Sequence, residues 1–136
     1  MVNENRKALS RFRLEQAIEC LKVAEILADT NHYKDAANRS YYCIFHSMRA
    51  ILALDGFDSK KHSGVISAFR RGYIKTGKFL PHFSDVIRDA FNIRTDSDYE
   101  DFYFVTKPEV IEQLESAKIF LEAVEKYIDN FLEAKE

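Results

Sequence analysis

Apolar residues return every three or four positions along most of this chain, the spacing of helices that bury one face. Leu14, Ala17, Ile18, Leu21, Ala24 and Ala28 form a first stripe, which the polar run "DTNHYKD" interrupts. A second helix is expected from about Tyr33 to Leu54, stopped by Asp55-Gly56. After the polar loop "GFDSKKHSG", a shorter helix is expected over Gly64 to Ile74, with Val65, Ile66 and Phe69 inward. Two glycines and a proline in "RGYIKTGKFLPHF" mark a break. A fourth helix is expected from about His82 to Arg94, with Val86, Ile87, Ala90 and Phe91 on its buried side. Thr106 and Glu109 stand three apart as a capping-box pair, with Pro108 tolerable in the first turn. Beyond them Val110, Leu114, Ala117, Leu121, Val124, Ile128 and Phe131 lay one seam along a last helix. Amphipathic helices with short connections specify an all-α fold, a four- to five-helix up-and-down bundle.

Composition narrows this further. A chain of 136 residues suits a single domain spanning residues 1–136, and four glycines with two prolines leave little material for β turns. The formal charge of −2 argues against a protein that coats nucleic acid by bulk electrostatics. The distribution is uneven, however. Lys60, Lys61, Arg70, Arg71, Lys75 and Lys78 fall between Ser59 and Ser84 with no acidic residue among them. That stretch is either a local basic surface or a solvated connector. Cys20 and Cys43 lack CxxC spacing and are expected as buried free thiols. The opening "MVNENRKALS" holds no apolar core and no stretch approaches a membrane span, so a soluble cytoplasmic protein without membrane contact is expected.

Several motifs fail on their context. "GYIKTGK" matches the start of a phosphate-binding loop, but Phe79 stands where the magnesium-holding hydroxyl belongs and no strand precedes it. It is read as a connector whose glycines permit a bend. His32, His46, His62 and His82 do not pair at metal-ligand spacing, so neither a metal nor another cofactor is expected. No Gly-x-Ser-x-Gly elbow is present. In "DAANRSYYCIFHSMRAILAL", Arg39, Tyr42, His46 and Arg49 follow at three, four and three residues and share one helix face. That face is either the wet side of a bundle helix or a row of donors suited to an anionic ligand.

Taken in order, "NRSYYCIFHSMRAIL", "KKHSGVISAF" and "RTDSDY" resemble a HEPN domain, in particular the small prokaryotic HEPN proteins associated with nucleotidyltransferases. The matching residues are Arg39, Tyr41, Tyr42, Phe45 and His46, then Lys61, His62 and Gly64, then Arg94, Asp98 and Tyr99, within a resemblance covering about Glu15 to Ile128. The resemblance implies a HEPN-type bundle, commonly a homodimer whose motifs meet in a shared cleft. It further implies a toxin-like half of a two-gene module whose antitoxin partner is a minimal nucleotidyltransferase, in some modules one that adenylylates a tyrosine just beyond the motif. The implied activity is metal-independent RNA cleavage through an arginine and a histidine. Here no histidine follows Arg94; Asp98 and Tyr99 stand in its place. A carboxylate of pKa about 4 is a feeble base and no acid at neutral pH. The candidate catalytic set is therefore Arg94, Asp98, Tyr99 and His46, with His46 substituting from the second helix. Arg39, Tyr42, Arg49, Lys61 and His62 are candidates for binding RNA or a nucleotide. One expectation is that Arg39, His46, Arg94, Asp98 and Tyr99 form a single polar cluster; the alternative is a structural ion pair between Arg94 and Asp98. The corresponding functions are a toxin-like protein acting on RNA and a non-catalytic nucleotide-binding or partner-docking module.

Overall fold

The computed structural model describes residues 3–101 and 103–135. Helix α1 (Glu4–Asp29) and α2 (Tyr33–Leu54) form a hairpin, and α3 (His62–Phe69) runs directly into a π-helical turn (Arg70–Ile74). Helices α4 (His82–Tyr99) and α5 (Lys107–Lys135) complete the bundle, and no strand occurs among the described residues. The all-α expectation holds. Among the described residues no helix is long and apolar enough to cross a membrane.

Local chemistry sets the helix ends. The side chain of Asn3 accepts from the Arg6 amide at 2.8 Å and caps α1. Asn31 turns the chain into α2 with φ of 65°, a conformation asparagine tolerates better than most side chains. Gly56 takes φ of +75° after α2, and the Phe57 amide returns to the Leu52 carbonyl at 3.0 Å. Thr106 and Glu109 cap α5 reciprocally, as their spacing predicts: the Thr106 amide donates to the Glu109 carboxylate and the Glu109 amide to the Thr106 hydroxyl.

Helix α2 is the central element and packs against α1, α3, α4 and α5. Its Tyr41, Ile44, Met48 and Ile51 are fully enclosed, together with Phe69, Ile87 and Phe120 from the surrounding helices. Burying each such side chain contributes about 1.5–3 kcal/mol before entropy is charged against it. Gln113 ties α5 to α2 inside this core, its amide donating to the Ala37 carbonyl at 2.9 Å and the Ser40 hydroxyl at 2.6 Å. Cys20 and Cys43 are buried free thiols, as expected.

One buried stripe and two helix ends differ from the sequence reading. The buried stripe of α1 is Ser10, Arg13, Ala17, Cys20, Leu21 and Ala24, rotated so that Leu14 and Ile18 sit at its edge. The third helix ends at Phe69 and finishes as the wider π turn, which carries the chain from Arg70 to Ile74. The fourth does not stop near Arg94 but continues to Tyr99. "RTDSDY" is thus helical, and Arg94 and Asp98 lie one turn apart on a single face.

Candidate functional site

Helices α2, α3 and α4 bring a guanidinium, two tyrosines and an imidazole together. Tyr41 and Tyr42 are consecutive on α2, so their rings leave the helix about 100° apart and reach different neighbours. Arg94 from α4 lies over both rings, its guanidinium carbon 5.7 Å from each centroid. It also donates through one terminal nitrogen to the Tyr42 hydroxyl at 3.3 Å. Its Nε lies 3.3 Å from Asp98 Oδ2 but lacks hydrogen-bond alignment, so this contact is an ion pair alone. Asp98 keeps 40% of its side chain exposed against 23% for Arg94, and water screens the pair.

His62 enters from the first position of α3. The turn before it is tight because Gly64 has no β-carbon; one placed there would collide with Ser59 Oγ. The His62 ring stacks on Phe45 at 4.1 Å, and its Nδ1 lies 2.7 Å from the Tyr41 hydroxyl. That hydroxyl has no other partner among the described residues, and burial raises the phenol pKa, with Arg94 partly opposing the rise. Tyr41 therefore donates to Nδ1, which assigns the imidazole proton to Nε2. Burial, then Arg94 and Arg49, lowers the His62 pKa, so the ring is neutral at pH 7. It presents an N–H donor rather than a free base.

His46 lies one turn along α2, its ring 5.9 Å from that of Tyr42. Its pKa is pushed down to about 4, first by burial, then by Arg49 and Arg13, with His62 and Arg39 adding to the effect. Its Nδ1 is buried without a partner. Tyr42 thus stands between His46 and Arg94 and touches both. Arg49 borders this corner, its guanidinium carbon 5.8 Å from the Phe45 centroid, and pairs with Asp58 at 3.5 Å, a carboxylate it shares with Arg13 at 3.2 Å. Arg13 is almost fully buried and also donates to the Arg49 carbonyl at 3.3 Å.

The expected five-residue cluster therefore forms only in part. Arg94, Asp98 and His46 assemble around Tyr42. Arg39 makes no hydrogen bond or ion pair with them among the described residues; its positive charge instead acts on the Cys20 thiol of α1, opposing the rise in pKa that burial causes. Tyr99 closes α4 and is 80% exposed, and Lys61 is exposed at the N-cap of α3. Two contributors were not among the candidate site residues, although Tyr41 is one of the matching motif residues. Tyr41 carries the hydrogen bond that fixes His62, and adjacency to Tyr42 alone gives no hint of it. Arg13 did leave a signal, since it stands four residues before the buried Ala17 and so shares its face.

Chemically, the corner is a set of donors: the Arg94 guanidinium, the Tyr42 hydroxyl and the His62 Nε2–H. Such a set suits a phosphate or other oxyanion. An all-α bundle with an arginine–tyrosine–histidine corner is the class of protein that fold and site define. The HEPN domain profile matches residues 10–127. The chain belongs to the HEPN family. It is 33% identical over 133 residues to a "UPF0332 protein" of Thermotoga maritima, covering 98% of this chain and 100% of that one. It is similar to two Methanocaldococcus jannaschii proteins. "Putative toxin MJ0142" is 32% identical, over 85% of this chain and 78% of its own length. "Putative toxin MJ0605" is 30% identical, over 97% and 98%.

Proposed function

We propose that this chain is the toxin-like half of a HEPN/nucleotidyltransferase pair, and that its Arg94–Tyr42–His62 corner binds a phosphate of RNA or of a nucleotide. Family membership and the toxin names of two relatives support the first part. The observation that carries the second is that Arg94, Tyr42 and His62 meet from three helices, with the Arg94 guanidinium carbon 5.7 Å from both tyrosine centroids and the His62 ring 5.8 Å from that of Tyr42. In this reading residues 1–136 act as one domain. The chain works in the cytoplasm as a homodimer whose two corners face a shared cleft, and a minimal nucleotidyltransferase docks on it as antitoxin.

The test is fluorescence anisotropy with a labelled single-stranded RNA. Arg94→Ala removes a charge-assisted contact of about 1.5–3 kcal/mol and should weaken binding roughly 10- to 150-fold, with the bundle still folded by circular dichroism. Unchanged affinity overturns the assignment.

A second reading, RNA cleavage, has one observation in its favour. His46 is a neutral imidazole at pH 7 and lies beside Tyr42 with its ring only partly buried. It would take the proton of a ribose 2′-hydroxyl; the 2′-oxygen would attack phosphorus and expel the 5′-oxygen, leaving a 2′,3′-cyclic phosphate. With a pKa of about 4, His46 is a weak base and is not an imidazolium at pH 7 that could protonate the leaving oxygen. Binding is therefore the reading preferred. Cyclic-phosphate ends formed by wild type and lost in His46→Ala would reverse that preference.

A further inference from the structure

A groove of about 610 Å³ lies between α3, its π-helical exit and α4. Ile66, Ile87 and Phe91 form its apolar floor, while Arg70, Arg71 and Lys75 stand along its wall. We propose that this groove is a second subsite that tracks the backbone of single-stranded RNA as it leaves the Arg94 corner, with a base lying on the Phe91 floor. The proposal rests on the phosphate-binding reading above.

Four features support it. The groove adjoins the corner: Ser63, at its near end, directly follows His62, and Phe91 in its floor packs edge-on against the buried Tyr41 at 5.9 Å. Its cations are available. Arg88 spends its charge on Asp85 and Asp89, at 3.1 Å each, but none of the ion pairs among the described residues engages Arg70, Arg71 or Lys75. Arg70 is held in place by donating to the Ser84 carbonyl at 3.0 Å, while its Nε is buried with no partner. The π turn gives these residues their positions. A wider turn rotates Arg71 and Lys75 relative to a continued α-helix, and π turns concentrate at functional sites.

The occupant follows from the chemistry of the lining. An acidic peptide requires donors only. Here Ser63, Ser67 and Asn92, which can both donate and accept, stand beside an apolar floor, a combination suited to base edges and faces. Bases are free to stack in this way when the strand is single. From Ser63 to Arg71 the helix rises roughly 12 Å, at about 1.5 Å per residue. A stacked strand advances about 3.4 Å per nucleotide, so the groove spans roughly three.

The experiment compares Arg71→Ala/Lys75→Ala, both at exposed positions, with wild type and Arg94→Ala. Probes are a 12-nucleotide single-stranded RNA, a dinucleotide monophosphate and a poly-glutamate competitor, and thermal melts confirm folding. The double variant should bind the 12-mer about fivefold to tenfold more weakly. Its slope of log affinity against log salt should fall by about 1.4, at roughly 0.7 for each of the two phosphates that the variant no longer neutralises. Dinucleotide binding, confined to the corner, should be unchanged, and poly-glutamate should compete poorly. If the double variant matches wild type while Arg94→Ala is impaired, the groove is refuted and the corner stands. If poly-glutamate displaces the RNA as well as unlabelled RNA does, the groove recognises charge alone and the base subsite is refuted. Failure of wild type to bind RNA, or full binding by Arg94→Ala, overturns both.

Discussion

Replacing Asp98 by asparagine should tighten RNA binding, although it alters the residue standing where the family motif calls for a catalytic group. Asp98 is charged, 40% exposed and paired with Arg94 at 3.3 Å. Its loss removes a helix pair worth about 0.3–0.5 kcal/mol. It also removes a negative charge from the last turn of α4, where the helix dipole disfavours it by a similar amount. Folding stability should therefore change by less than about 0.5 kcal/mol. Binding should respond more. A phosphate on the outer edge of Arg94 would sit roughly 5 Å from the Asp98 carboxylate, a repulsion of about 0.8 kcal/mol in water and about 3 kcal/mol at an effective dielectric of 20. The exposure of Asp98 places the true value near the lower figure. Release of Arg94 from its partner adds a few tenths of a kcal/mol. Together these predict an affinity gain of about fivefold to tenfold. Anisotropy titrations at two ionic strengths would measure it, and the gain should shrink at the higher one. Weaker binding by a normally folded Asp98→Asn protein would mean that the carboxylate positions Arg94 rather than competing for it, and the donor-corner reasoning would fail.

Further predictions concern the neighbouring groups. The folded-state pKa of His46 is lowered to about 4 from an ordinary value near 6.5, so the unfolded chain binds the proton more readily. The resulting stabilisation is complete above about pH 6.5 and lost as the pH falls toward 4. It is on the order of 2 kcal/mol once the ring's partial exposure is allowed for. Urea denaturation at pH 7 and pH 5 should show a smaller pH dependence for His46→Gln than for wild type; equal dependences would contradict the burial argument. Tyr41→Phe should cost about 1 kcal/mol for the lost hydrogen bond to His62. In wild type, nitrogen NMR should find His62 protonated on Nε2, and an Nδ1–H ring would refute the assigned tautomer. Gln113→Ala should destabilise by about 2 kcal/mol through lost hydrogen bonds and a void. Gln113→Leu should cost less, because it fills the space and removes the buried unpartnered Oε1; the reverse order in denaturant would undercut that account.

The helical class, the number of helices and the cap of α5 were all legible from residue order, because they depend on short-range chemistry. A capping box needs only Thr106 and Glu109 three residues apart, and a buried seam needs only a repeat near 3.6. Local signals misjudged the end of α4: Arg94 through Tyr99 is polar, yet Ser97 is buried and that turn packs in the bundle. They also left Ser10 and Arg13 out of the α1 stripe, whose apolar members do face the core. Arg13 shares the buried face of α1 by spacing, but its partner Asp58, distant in sequence, could not be read from that spacing.

By itself the sequence determined that this chain makes amphipathic helices with a tyrosine–histidine–arginine face on the second and an Arg94–Asp98 turn on the fourth. Only the tertiary structure decided which of those groups meet. Periodicity fixes the face a residue occupies on its own helix but not which neighbouring helix covers that face. Packing of α3 and α4 against α2 placed His62 and Arg94 around the two tyrosines and left Arg39 to α1. Burial then lowered the pKa of both imidazoles.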